Sequence, residues 1–327
     1  MPFGNIKAVY SNERYQNSGM IKHIEYDSVI IGSSVTSNFR ASWFDELFNC
    51  KTLKLSYPGG CFSDFDTALS YAFEQNPNIN RVFWSLDPNI LITKYDAKST
   101  PMPEYLYNSS IFDNAKYILN KDVLLELCGE SILATIMGEE TSIDEAFTWD
   151  SEYDFNNSQA LWGYVRPEWS ETVISADYYD DIINENLKHI HSFIAEHPET
   201  EFYLFTPPYC ILHWDRIIRD GTYPALLNLY DRLLTEFSEY DNVKYYCFAV
   251  NDFIFNLSIY IDEVHYSPDI NRYIAEYMAN NNGVDESFKP IMHDFFRNII
   301  ENYSIDSLFP ELLQEKPEKH RVLEPSY

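Results

Sequence analysis

Asp27-Ser28-Val29-Ile30-Ile31-Gly32-Ser33-Ser34-Val35-Thr36 is the stretch on which the fold turns. A short β-branched run ends in glycine and then in small polar residues. That pattern reads as a buried strand followed at once by a turn. The pattern recurs along the chain. Thr52 to Leu55 is closed by Pro58-Gly59-Gly60, and Arg81 to Ser85 is stopped by Asp87-Pro88. Glu201 to Thr206 ends at Pro207-Pro208, and Val243 to Phe248 is the last such run.

Helical spacing fills the gaps between these runs. A short helical stretch covers Phe44 to Phe48, and a helix opening at Ser63-Asp64 places Phe65, Leu69, Ala72 and Phe73 near one face. Further helices are expected near 121–137, 179–197, 223–240 and 268–280. Strand alternating with crossover helix implies a parallel sheet covered on both faces. The expected architecture is α/β, three-layered, with a central parallel five-stranded sheet. The alternation weakens over about residues 90–178, which reads as an inserted helical and irregular segment, a lid or cap over a site. One domain over 1–327 is expected, with that insertion and a C-terminal extension from about 284 to 327.

The 327 residues include 23 Lys and Arg against 51 Asp and Glu, a formal charge of −28 at pH 7. So acidic a field repels phosphate backbones and anionic lipid surfaces, which sets aside nucleic-acid and polybasic-membrane functions. Disorder is excluded as well, since 26 Tyr, 22 Phe and 6 Trp supply a large apolar core. The five cysteines, Cys50, Cys61, Cys128, Cys210 and Cys247, show neither metal spacing nor a disulfide framework and are expected as free thiols. No stretch approaches the roughly 20 apolar residues of a membrane helix. Met1 to Tyr15 lacks an apolar signal region, so the sequence by itself reads as soluble and cytoplasmic in type. No cofactor is expected: there is no GxGxxG after the first strand and no phosphate-binding GxxxxGK[ST].

In open α/β sheets, sites collect beyond the carboxyl ends of the strands. The segments there are Gly32 to Thr36, Ser56 to Gly60, Ser85 to Asn89, Thr206 to Pro208 and, after Phe248, Tyr260 to Ser267. The first and last offer a nucleophile and its base. A serine hydroxyl needs an imidazole to take its proton, and the imidazole needs a carboxylate to hold its tautomer. Ser34 supplies the hydroxyl; Asp262 and His265, three apart, supply the other two. Each piece alone is commonplace, a tight turn or a chance DxxH. Their joint placement after strands at opposite ends of one unit favours function. His189 and His191 face apart on their expected helix, Asp177, Asp180 and Asp181 suit a helix N-terminus, and Trp149, Trp162, Trp169 and Trp214 suit either sugar stacking or a core. The N-x-S sequences at Asn108, Asn156, Asn256 and Asn302 are no more frequent than chance allows.

This layout resembles the SGNH/GDSL hydrolase superfamily, whose fold is flavodoxin-like. Its first block matches Gly32-Ser33-Ser34-Val35-Thr36, with Ser33 at the usual aspartate as in the membrane-associated DltD-like branch. Its fifth block matches Asp262-Glu263-Val264-His265. The resemblance covers roughly residues 24–96 and 200–282. It implies Ser34 as nucleophile, His265 as base, Asp262 as its orienter and Gly59 as an oxyanion-hole donor. The third block departs from the pattern, because Asp87 stands at the oxyanion asparagine. An ionised Asp87 would repel the developing charge, and loss of one donor typically costs about 100- to 1,000-fold. The implied activity is that of a serine esterase or acyltransferase on O-acyl groups of a glycan, cell-envelope polymer or acylated small molecule. The implied setting is the cell envelope, with membrane association only through a segment outside this sequence. The competing expectation is a catalytically degenerate binding or assembly protein for cell-surface polysaccharide.

Overall fold

In the computed structural model the described residues are 6–302, apart from 98–100, 109, 111–115, 118–119, 122 and 140. The part of the expected C-terminal extension beyond 302 lies outside them. Five strands form one sheet: β1 (Ser28–Gly32), β2 (Thr52–Ser56), β3 (Arg81–Ser85), β4 (Glu201–Thr206) and β5 (Val243–Cys247). Every pairing is parallel and the order is β2-β1-β3-β4-β5. This is the flavodoxin-like order, with its topological switch between β1 and β3. The observed strands match the expected runs to within a residue at each end.

The helices are α1 (Glu13–His23), α2 (Ala41–Phe48), α3 (Phe62–Gln75), α4 (Pro88–Leu91), α5 (Cys128–Met137), α6 (Asn157–Gly163), α7 (Asp180–Glu196), α8 (Ile211–Arg219), α9 (Tyr223–Phe237), α10 (Pro268–Asn280) and α11 (Lys289–Asn302). Alternation along the strands sorts them into two layers, because successive side chains leave a strand on opposite faces. Phe83 meets Phe44 of α2 at 4.6 Å and Tyr203 at 4.9 Å, and Tyr246 continues that face to Tyr277 of α10 at 6.3 Å. Trp84 points the other way, to Phe62 of α3 at 5.8 Å and Phe193 of α7 at 5.8 Å. Tyr245 points with it, to Phe237 of α9. Both faces are therefore apolar, and the strands are buried almost throughout.

Of the helices that the sequence reading did not name, α1 and α8 share a reason: their buried faces are partly polar. α1 buries Arg14, Asn17 and Ser18 beside Met20 and Ile21. Arg14 pairs with Asp64 at 3.3 Å and Asn17 donates to the Ser56 carbonyl at 3.1 Å. α8 buries His213 and Asp215. Asp215 accepts from Tyr164 at 2.7 Å and bidentately from Arg166 at 2.7 and 2.8 Å, so its charge is fully paired. The region expected as an insertion holds no strand among its described residues; it contains α5, α6 and short turns of helix. No helix among the described residues is long and apolar enough to cross a membrane.

Candidate active site

The first loop is built around close backbone packing at Gly32. A Cβ there would lie 2.6 Å from Thr36 Cγ2 and 2.8 Å from Ser85 Cβ, so only glycine lets β1 end against β3. The chain then winds one 3₁₀ turn, Ser34–Thr36. Thr36 fixes the turn by donating its hydroxyl to the Ser33 carbonyl at 2.7 Å and contacting Ser56 Oγ at 2.9 Å. Asn271, in the first turn of α10, donates to the Val35 carbonyl at 2.9 Å. Below it, buried Lys54 donates to the Ser37 and Phe39 carbonyls at 2.6 and 2.8 Å. Burial, with the nearby Arg40 charge, lowers its pKa to about 7. Ser34 itself remains partly accessible on this well-supported turn.

The second loop has a longer way to come, because β5 is separated from β1 by β3 and β4. It crosses the strand ends as a tight, anchored segment. Tyr260 and Tyr266 form an antiparallel bridge, and the Ile261 N–H donates to the His265 carbonyl at 3.1 Å. Tyr260 Oη donates to the Pro208 carbonyl, just past β4, at 2.8 Å. The Cys210 N–H donates to the Glu263 carbonyl at 3.0 Å, and Arg216 of α8 forms a forked ion pair with the Glu263 carboxylate.

These two loops bring Ser34, His265 and Asp262 together across 231 residues of sequence. Ser34 Oγ lies 2.7 Å from His265 Nε2, and His265 Nδ1 lies 2.7 Å from Asp262 Oδ2. The second carboxylate oxygen, Oδ1, accepts the backbone N–H groups of Val264 and His265, each at 2.8 Å. Burial alone would raise the Asp262 pKa. The hydrogen bond and charge of His265, with those two N–H groups, outweigh it, and the carboxyl titrates below its ordinary range. An ionised acceptor on Nδ1 places the ring's proton there and leaves Nε2 free to accept from the serine. The arrangement can deprotonate Ser34 as it attacks and hold the imidazolium that results.

The residues around this chain fall into two groups. Gly59 caps the turn after β2, where the Gly60 N–H returns to the Tyr57 carbonyl at 2.8 Å; its φ of 61° with Pro58 before it fits a type II turn. The register pairs Gly32 with Ser56, so this turn stands next to the Ser34 loop. Asp87 does not present a donor. Its carboxylate accepts Ser33 Oγ at 3.0 Å and the Asn89 N–H at 3.0 Å, capping α4, and it bonds to the Tyr209 hydroxyl. Burial raises its pKa against the pull of those bonds. Asp87 therefore braces Ser33, the residue before Ser34, from the buried side.

One contributor comes from the insertion. Trp149 donates its indole Nε1–H to the Ser34 carbonyl at 3.1 Å and sets its ring edge-to-face with His265 at 5.2 Å and 83°. In the sequence Trp149 was one of four tryptophans with nothing to single it out; only the distance to His265 does so. His189 and His191 go elsewhere: His189 stacks on Tyr95 at 4.4 Å, and His191 lies between Tyr240 and Glu236.

No family model matches the chain, and no curated protein matches it. Among solved structures it is similar to a Streptococcus pneumonia protein whose name refers to a platelet activating factor. The two are 14% identical, with 82% of this chain and 88% of that chain covered and a TM-score of 0.40. The chemistry of the site rests on its own geometry.

Proposed function

We propose that the protein is a serine esterase or acyltransferase acting on O-acyl groups. The carrying observation is the continuous hydrogen-bond chain from Ser34 through His265 to Asp262, with 2.7 Å at each step. As Ser34 Oγ bonds to the acyl carbon, its proton passes to His265 Nε2, and the carbonyl oxygen takes the negative charge. Collapse expels the alcohol, which takes the proton from His265 and leaves the acyl group on Ser34. Water or an acceptor hydroxyl, deprotonated by the same imidazole, then removes the acyl group and regenerates the serine. The Ser34 and Gly59 N–H groups are the oxyanion donors that the family resemblance implies. Asp87, engaged as an acceptor, is not one of them. The −28 charge favours neutral or cationic acyl carriers over polyphosphate ones. A glycan or other cell-envelope polymer as carrier comes from the resemblance alone.

The second reading, a binding or assembly protein with a degenerate site, is motivated by Asp87 at the asparagine position. A fluorophosphonate probe separates the two. The esterase reading expects one phosphonyl group per chain, on Ser34, abolished in Ser34→Ala and lowered at least about 1,000-fold in His265→Ala. An unlabelled wild type would move the assignment to the binding protein.

A further inference from the structure

The segment around Trp149 is tied to the nucleophile loop at several points, all on one side of Ser34. The Trp149 N–H donates to Asn38 Oδ1 at 3.0 Å, and Asp150 pairs with Arg40 at 3.4 Å. Asp144 accepts the Ser42 N–H at 2.8 Å and the Ser42 hydroxyl at 2.7 Å. So dense a set of ties describes a fixed clamp over residues 38–42 rather than a swinging lid. Within it, the indole N–H reaches the Ser34 carbonyl, which also accepts the Ser37 N–H at 3.1 Å. Both lone pairs of that carbonyl are then used, and the peptide leaving the nucleophile is held from inside and outside the turn.

The ring does a second thing. At 5.2 Å and 83° it lies in the range of an edge-to-face contact, so the indole packs directly against the imidazole that bonds Ser34. Simple core packing is the competing explanation, and exposure argues against it. Trp84 and Trp214 are wholly buried core residues, whereas Trp149 is partly exposed beside Tyr153 at 5.9 Å and Phe155 at 6.1 Å.

We infer that Trp149 is a positioning residue of the Ser34–His265 pair, supplied by the insertion, and that the site is incomplete without it. The inference rests on the serine-hydrolase reading above. Trp149→Phe keeps an aromatic ring and removes the N–H; Trp149→Ala removes both. Fluorophosphonate labelling of Ser34 should slow about 5- to 10-fold in Trp149→Phe, as for one lost hydrogen bond. It should slow about 100-fold in Trp149→Ala, as for a misplaced reacting pair. With a short acyl ester the loss should fall on kcat, with KM within about twofold, because positioning acts after substrate has bound. The proton NMR signal of His265 Nδ1–H should shift when the indole's ring current is removed in Trp149→Ala, a change that mere loss of packing elsewhere would not produce.

Labelling of both variants within twofold of a reactive wild type would overturn the role of Trp149 and leave the esterase reading standing. A raised KM with unchanged kcat would also overturn it, making Trp149 a substrate wall. A folded but unreactive wild type would overturn both readings together. Should Trp149→Ala fail to fold, the Trp149→Phe rate and its kcat-to-KM split decide the matter alone.

Discussion

Among the described residues, two imidazoles lie between a hydroxyl and a carboxylate. His265 has Ser34 at 2.7 Å and Asp262 at 2.7 Å; His191 has the Tyr240 hydroxyl at 2.9 Å and Glu236 at 2.8 Å. Distances alone do not separate them. Their settings do. His191 projects from the middle of α7 towards α9, and its carboxylate is shared with Arg232 at 2.8 Å. That cation already answers the charge of Glu236, which weakens its hold on an imidazolium. Burial raises the Tyr240 phenol above its ordinary pKa, making it a poorer proton donor still. His265 instead sits on a loop locked to α8 and to the end of β4, its carboxylate answered by backbone N–H groups and facing a serine on a turn at the strand ends. The lesson is that a hydroxyl–imidazole–carboxylate triplet becomes a candidate for catalysis through what surrounds it.

The comparison breaks or sharpens under substitution. The largest expected effect is at the orienting carboxylate. Asp262→Asn should lower the turnover of a short acyl ester by about 1,000- to 10,000-fold, whereas Glu236→Gln, matched in chemistry, should leave it within twofold. Equal losses in steady-state assays would erase the distinction drawn above.

In stability the two pairs should behave alike. Asp262 and Glu236 are each raised by burial but lowered further by hydrogen bonds and opposite charge, so both titrate below their unfolded values. A carboxyl with a depressed folded pKa stabilises above its unfolded pKa, near 4, and loses that contribution as pH falls through the lower folded value. Urea unfolding between about pH 5 and pH 2 should therefore show each amide variant losing less stability on acidification than wild type. For groups only partly buried, solvent screening keeps the difference to at most about 1 kcal/mol. A variant as acid-sensitive as wild type would mean that its carboxylate was not held ionised by its partner. The smallest effect is expected at the second imidazole: His191→Phe should change fluorophosphonate labelling of Ser34 by less than twofold, and a tenfold fall would tie His191 and its partners to the labelling.

Much of this is legible in the sequence. The strands announced themselves because each is a short apolar run with punctuation behind it, and a sheet apolar on both faces leaves little else for such runs to be. Ser34, Asp262 and His265 were legible for a related reason, each falling in a loop that follows a strand. What stayed hidden depends on polar groups satisfied across long distances. The helix carrying Arg14 and Asn17 shows no apolar stripe, since those side chains reach Asp64 and Ser56. The family resemblance sets Asp87 where that pattern has an asparagine, but it does not say that the Asp87 carboxylate accepts from Ser33. Trp149 belongs to a stretch without period, and its partner lies 115 residues away.

That Ser34 and His265 lie 231 residues apart has a kinetic meaning. A contact closing so large a loop is among the last a chain makes, since its ordering entropy is spent before any neighbouring contact rewards it. Helices and the local β1–α2–β2 unit can assemble while Ser34 and His265 are still apart. On the serine-hydrolase reading proposed above, the nascent chain would stay chemically silent for most of its synthesis, and reactivity at Ser34 would report arrival at the finished fold.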